Sequence, residues 1–251
     1  MKQWILGTLA LALIFSSSAL ARAGFLSNRA QLDSVLGSFA VTENFEKFNV
    51  PPPGATPLTD ALGNPIQSLN STTVAYGSDH VAQGPGLVIP GVTFSTTGFQ
   101  ALQWNDLNWQ GQPSKNLQAE SKPIRVTFDT RTLAFGLDMT VFQGFPDTAN
   151  VTIFSADNAT VLATGTFNVP DTTDTNGHVI PVFLGYQDES GRGIGSVLID
   201  NVQQTWSINI DNVEFGLGGP AIIPEPASAI LLGTAFLGIG LFAFRRRRQK
   251  V

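Results

Sequence analysis

The chain contains no cysteine. Disulfide staples, thiolate zinc sites and thiol nucleophiles are therefore excluded. Stability must come from a packed core, and 251 residues are enough to build one. Charge is also scarce, at 13% of residues against about 25% in an average globular chain. Histidine is limited to His80 and His178, and no Gly-x-Ser-x-Gly elbow accompanies them. A carboxylate pair carries no signal either, because some pair is always at hand among 19 acids. These shortages point away from an enzyme. Sustained 3.6-residue periodicity is missing between Phe48 and Gly216, which argues against a helical bundle. No internal repeat is present.

Positive charge is nearly absent from the middle of the chain. Residues 24–224 hold 18 of the 19 acids but only 7 of the 14 Lys and Arg, a net of −11. Nucleic acid and anionic lipid would be repelled by such a segment.

The ends have a different composition. Lys2 precedes an apolar run from Trp4 to Phe15, then Ser16 to Ser18 lead to Ala21-Arg22-Ala23. This is the layout of a secretory signal peptide over 1–23, with a mature start at Gly24. The run is shorter than the roughly 20 apolar residues that span a bilayer. At the other end Ala227 to Phe244 is 18 residues without a charge. As a helix it would measure about 27 Å, close to the hydrocarbon thickness. Arg245, Arg246, Arg247, Arg248 and Lys250 follow at once and would stay cytoplasmic. Residues 227–244 therefore read as one transmembrane helix with a basic tail over 245–250. The preceding domain would lie on the far side of the membrane, in agreement with the signal peptide.

Between these ends the pattern predicts an all-β domain over 24–217 and a linker over 218–223. One short helix is expected in Phe25 to Phe39, capped by Asn28 with Gln31 three residues on and ended by Gly37. Its buried stripe would be Leu32, Val35, Leu36 and Phe39. Val41 to Phe48 reads as a strand with Val41, Phe45 and Phe48 inward, and Pro51 to Asn64 as a Pro/Gly loop. Strands are expected at Val92–Phe94, Ile124–Phe128, Leu133–Phe142, Val182–Tyr186, Ser196–Ile199 and Trp206–Phe215. Val151–Phe154 and Val161–Phe167 flank Asp157-Asn158 and read as a hairpin. Nine or ten short strands with turn signals between them imply a sandwich or barrel.

Trp104 and Trp109 stand among Asn105, Asp106, Asn108 and Gln110. Sugars stack their C–H faces on aromatic rings and hydrogen-bond to Asn and Asp. Gln103 to Gln112 lacks strand alternation, so Trp104, Asn105, Asp106 and Trp109 form a candidate ligand patch on an exposed loop; core anchoring is the alternative. Asp157-Asn158, Asp171 to Asp174 and Asp188-Glu189 are acidic pairs that turn chemistry explains equally well.

The segment Ile223-Pro224-Glu225-Pro226-Ala227-Ser228, followed by an apolar helix and Arg245 to Arg248, resembles the PEP-CTERM sorting signal. The resemblance covers about 28 residues of this chain. It implies a Gram-negative bacterium that makes extracellular polysaccharide, and processing near Pro224, Glu225 and Pro226 by an exosortase. An inner-membrane-anchored precursor, exported through the signal-peptide machinery, would then reach the cell surface or matrix. The middle resembles the jelly-roll, lectin-like β-sandwiches that often accompany this signal. Three stretches carry the likeness: Thr42 to Glu46, Gly91 to Ser95 and Ile208 to Phe215. First and last strands lie side by side in such domains, and their acids can hold one structural calcium. That implies Glu43, Glu46 and Asp211 as candidate calcium ligands, since calcium takes six to eight oxygens. The expected function is a non-catalytic, exosortase-sorted surface or matrix protein that binds exopolysaccharide. The alternatives are a purely structural matrix component and an envelope hydrolase.

Replacing Arg245, Arg246, Arg247 and Arg248 together by Ser should impair membrane retention and processing. Fractionation and blotting of the precursor check this, and normal processing would count against the sorting reading.

Overall fold

Alternating apolar and polar side chains build two facing antiparallel sheets. The computed structural model describes residues 24–49, 54–97, 101–203 and 208–216. The chain divides into two compact units, Met1–Gly219 and Pro220–Val251, and the described residues belong to the first. The expected signal peptide, Pro-Glu-Pro motif, membrane helix and basic tail lie outside the described residues. Among those described, no helix is long and apolar enough to cross a membrane.

The eight-stranded sheet contains β1 (Gly24–Leu26), β2 (Ala40–Glu43), β3 (Ala55–Pro57), β8 (Leu102–Asn105), β9 (Asn116–Ala119), β11 (Ala134–Thr140), β14 (Val182–Gln187) and β16 (Asn209–Gly216). Its order is β1-β14-β11-β16-β9-β8-β3, and β2 also pairs with β16. The six-stranded sheet contains β4 (Ser68–Leu69), β7 (Val92–Thr96), β10 (Ile124–Thr132), β12 (Asp147–Ser155), β13 (Val161–Val169) and β15 (Ile194–Asn201). Its order is β13-β12-β15-β10-β7-β4. A separate small ribbon pairs β5 (Ala75–Tyr76) with β6 (Ala82–Gln83).

The core lies between the two sheets. Phe94, Val126, Ile153 and Val197 from one meet Trp104, Leu117, Phe135, Ile210 and Phe215 from the other. Trp104 stacks on Phe48 at 4.7 Å and meets Phe45 edge-on at 5.2 Å. The domain is a β-sandwich with one short helix, as its turn-punctuated strand pattern predicts.

The helix α1 (Arg29–Leu36) starts later than the spacing suggests. Phe25 is instead part of β1, where its ring packs on Phe167 and Tyr186 at 5.2 and 5.6 Å. Asn28 caps α1 by accepting from the Gln31 N–H at 3.0 Å, and the Gln31 side chain reaches back to the Ser27 N–H at 2.8 Å. Gly37 ends it with φ +54°. Leu32 and Leu36 are buried against Ala134, but Val35 and Phe39 are exposed. Eight residues give only two buried positions on one side, so the expected four-residue stripe is too wide.

Two further differences concern strands. Ala55–Pro57 pairs with β8 despite its Pro/Gly surroundings. The stretch from Leu102 onward does alternate: Leu102 and Trp104 point inward, while Gln103 and Asn105 sit on the outer face. Strand β2 ends at Glu43 because Phe45 takes a left-handed φ of +54°. The Glu43 carboxylate then holds two backbone segments together. It accepts from the Phe45 N–H at 2.7 Å and from the Ile89 N–H at 2.8 Å, and is buried.

Glu43→Ala should lower unfolding free energy by about 3 kcal/mol, because the buried Phe45 N–H and the part-buried Ile89 N–H lose their acceptor. Glu43→Gln keeps one carbonyl oxygen and should lose less. Urea unfolding of the three proteins checks the order.

Candidate functional site

Strand β8 places two of the four candidate ligand residues, and alternation sends them to opposite faces. Trp104 faces the core, fully buried, and its indole N–H donates to the Phe45 carbonyl at 2.9 Å. It cannot stack on a sugar; the aromatic cluster it anchors explains its place. Asn105 faces outward but is sealed within a ladder of amides. Its Nδ2 donates to Asn116 Oδ1 at 2.8 Å and to Asn209 Oδ1 at 3.1 Å. Gln118 Nε2 donates to Asn105 Oδ1 at 3.2 Å and to Gln103 Oε1 at 2.8 Å. Asn116 Nδ2 donates to Gln112 Oε1 at 2.9 Å, and the Thr140 hydroxyl donates to the same oxygen at 2.6 Å. Asn209 Nδ2 has no partner among the described residues. Sequence reasoning missed this ladder. Its signal was the alternation of Gln103, Asn105, Asn116 and Gln118 with apolar neighbours.

Trp109 and Asp106 belong to the loop between β8 and β9. Asn108, Gln110 and Gly111 have φ of +66°, +50° and +78°. Left-handed backbone at a non-glycine residue costs roughly 1–2 kcal/mol, less for Asn. The conformation persists because three segments grip the loop. The Asp106 N–H donates to the Gly54 carbonyl at 2.9 Å, the Gln143 N–H to Gln110 O at 3.0 Å, and the Val179 N–H to Gly111 O at 2.8 Å. His178 Nε2 lies 2.7 Å from Asn108 Oδ1. The Trp109 ring lies over Gly54, where an added Cβ would fall 2.3 Å from Trp109 Cε3. Only glycine permits that approach. Trp109 is half-buried, with exposed Leu107, Asn108 and Gln110 around it. Asp106 turns its carboxylate to the Leu107 N–H at 2.9 Å.

The calcium candidates do not form one donor set. Strands β2 and β16 do lie side by side, and Glu43 pairs with Val213, so its side chain faces the core. Asn212 sits in a bulge with φ +48°, and this turns Asp211 to the outer face opposite Asp138. Asp211 accepts from the Ser114 hydroxyl and, at 2.6 Å, from the Asn212 N–H. Glu46 is exposed and accepts from the Lys115 N–H at 3.3 Å. Among the described residues no group of three or more His, Asp or Glu side chains is placed to hold a metal ion. Both Glu43 oxygens already serve backbone N–H groups, so a shared calcium does not fit these three residues. The other acidic pairs act in turns. Asp157 accepts from the Ala159 and Thr160 N–H groups, Asp174 from Asn176 and His178, and Asp188 from Ser190 and Gly193.

Arg29 neutralises part of the outer face. Its guanidinium contacts Glu214 at 2.8 Å and Asp138 at 3.0 Å. Burial opposes the charge, but Asp138 and Glu214 outweigh it and hold the Arg29 pKa above its ordinary value. Asp211 has no such cation. Burial pushes its carboxyl up to about 7, with Asp138 and Glu46 adding to the rise and the Ser114 and Asn212 hydrogen bonds opposing it.

No family model matches the chain, and no curated protein matches it. Several solved structures are similar in outline. A DUF4465 family protein from Bacteroides caccae is 11% identical over 70% of this chain and 98% of its own, with a TM-score of 0.41. A CBM22 xylan-binding domain from Paenibacillus barcinonensis is 12% identical over 72% of this chain and 95% of its own, with a TM-score of 0.32. The catalytic unit of a GH87 α-1,3-glucanase from Streptomyces thermodiastaticus is 16% identical; the chain spans only 23% of its length, with a TM-score of 0.28.

Asp211 generates a pH dependence. Its folded-state pKa of about 7 exceeds its ordinary 3.8, so the native state binds the proton more tightly than the unfolded chain. Stability should fall as pH rises from about 4 to about 7 and level off above that. Asp211→Asn should flatten this decline and raise the melting temperature at pH 8. Thermal unfolding from pH 4 to 8 checks it.

Proposed function

We propose that the protein is an exported, non-catalytic surface or matrix protein that binds neutral polysaccharide through the loop carrying Trp109. The Trp109 loop is the single observation that carries this reading. A half-buried indole is held by left-handed backbone and by hydrogen bonds to three separate segments. Strained, over-determined backbone collects at ligand sites, and a ring fixed before binding loses little freedom on binding. Asn108, Gln110 and His178 supply hydroxyl-matching groups beside it. The net charge of −11 over residues 24–224 favours a neutral polymer over an acidic one.

Export rests on the two ends of the sequence. The tail from Pro224 to Lys250 supports transient anchoring in the inner membrane and processing by an exosortase. A jelly-roll, lectin-like relationship is the finer form of the sandwich architecture. Weak binding at one loop would be strengthened by display of many copies on a matrix.

A purely structural role is the second reading. It is favoured by the burial of Trp104 and Asn105, which leaves Trp109 as the one aromatic of the expected patch open to solvent.

Tryptophan fluorescence during titration with soluble xylan, β-glucan, dextran and alginate separates the two. Binding to a neutral polymer is expected, and Trp109→Ala should weaken it about tenfold, a loss of about 1.4 kcal/mol, with little change in melting temperature. Absence of any response across the panel, or unchanged affinity in the variant, would leave the structural reading.

A further inference from the structure

We propose that the protein self-associates through the free edge of β13, pairing antiparallel with β13 of a second copy. The edges of the two sheets are not alike. Strands β2, β3 and β4 have four, three and two residues, and Pro57 further blunts β3. Such short edges are the usual defence against strand addition. Strand β13 has nine residues and, among the described residues, pairs only with β12. It has neither proline nor charge, and the whole stretch Asn158–Pro170 is uncharged. In a segment of net charge −11, two copies can meet along this strand without setting like charges against each other.

The strand is also self-complementary. An antiparallel pairing centred on Gly165 sets Thr164 opposite Thr166 of the second copy, and Ala163 opposite Phe167. Thr–Thr and small–aromatic pairs are favourable cross-strand neighbours. Thr164 and Thr166 are both exposed. The inner side at Gly165 is already filled by Phe25, since an added Cβ would lie 2.8 Å from Phe25 Cζ. Phe25 thus closes the gap between the sheets at this edge and leaves the hydrogen-bonding row of β13 facing out. The arrangement is a two-fold, isologous contact that joins two six-stranded sheets into one.

The cysteine-free chain makes the register directly testable. Full-length Thr164→Cys and Thr166→Cys variants, carrying different tags, are produced singly and together, extracted in detergent and oxidised with copper phenanthroline. The Gly165-centred register puts residue 164 opposite residue 166 but sets identical residues on the diagonal, about 7–8 Å apart. Co-produced variants should therefore give roughly tenfold more disulfide-linked dimer than either variant gives alone, because a disulfide needs closer approach. Equal cross-linking in all three samples, or none in the mixture, would overturn the proposal. Melting temperatures of both variants should match the parent, which excludes misfolding as the cause of a negative result.

Discussion

The pairing of β16 organises the large sheet. On one side it pairs with β11, and on the other with β9 at Ile210 and with β2 from Val213 to Gly216. The last described strand therefore bonds to one of the first, joining Ala40 to Gly216 across the chain. Until β16 makes these pairings, β1-β14-β11, β9-β8-β3 and β2 are separate pieces, and neither the core face nor the outer face is continuous. Contacts so distant in sequence are closed at a cost in loop entropy and form slowly. Without disulfides, nothing covalent shares that cost.

The same strand divides the acids. Its bulge at Asn212 keeps Val213 and Ile210 inward while sending Asp211 and Glu214 outward. Glu43, one strand away, stays with Val213 on the core side. A single extra residue thus separates carboxylates that a regular strand would have set together, and gives each its own task. Glu43 fastens backbone, Glu214 holds Arg29 and α1, and Asp211 is left buried without a cation.

The outer face of β8, β9 and β16 follows a related logic. Polar side chains at alternate positions normally meet water, but the loop from Asp106 to Lys115 folds over them. Asn105, Gln112, Asn116 and Gln118 bond to one another instead, and Asn209 joins them through its Oδ1. Such buried networks fix register strongly, because one slipped pair leaves several amides unpaired. Gln112 ties the loop that carries Trp109 into this network.

Local patterns carried much of the architecture. The hairpin around Asp157-Asn158, the strand from Ile124, and the Asn28 and Gln31 cap of α1 all lie where the sequence puts them, because period-2 alternation and cap chemistry act over a few neighbouring residues. The helix stripe and the Pro/Gly segment at Ala55 were read less well, since burial and strand pairing there depend on distant partners. The candidate site split the same way. Trp104 and Trp109 are five positions apart and equally polar in their surroundings, yet one is a core anchor and the other half-exposed.

By itself, then, the sequence determined the sandwich class, the absence of covalent staples and the strong acidity of the middle segment, since these follow from composition and short-range periodicity. The tertiary structure alone decided which acids meet, which tryptophan reaches solvent and which strand edge stays open. Those depend on register, a bulge and a covering loop, set largely by partners tens of positions away in the chain, such as Asp138 and Asp211 or Gly111 and Val179.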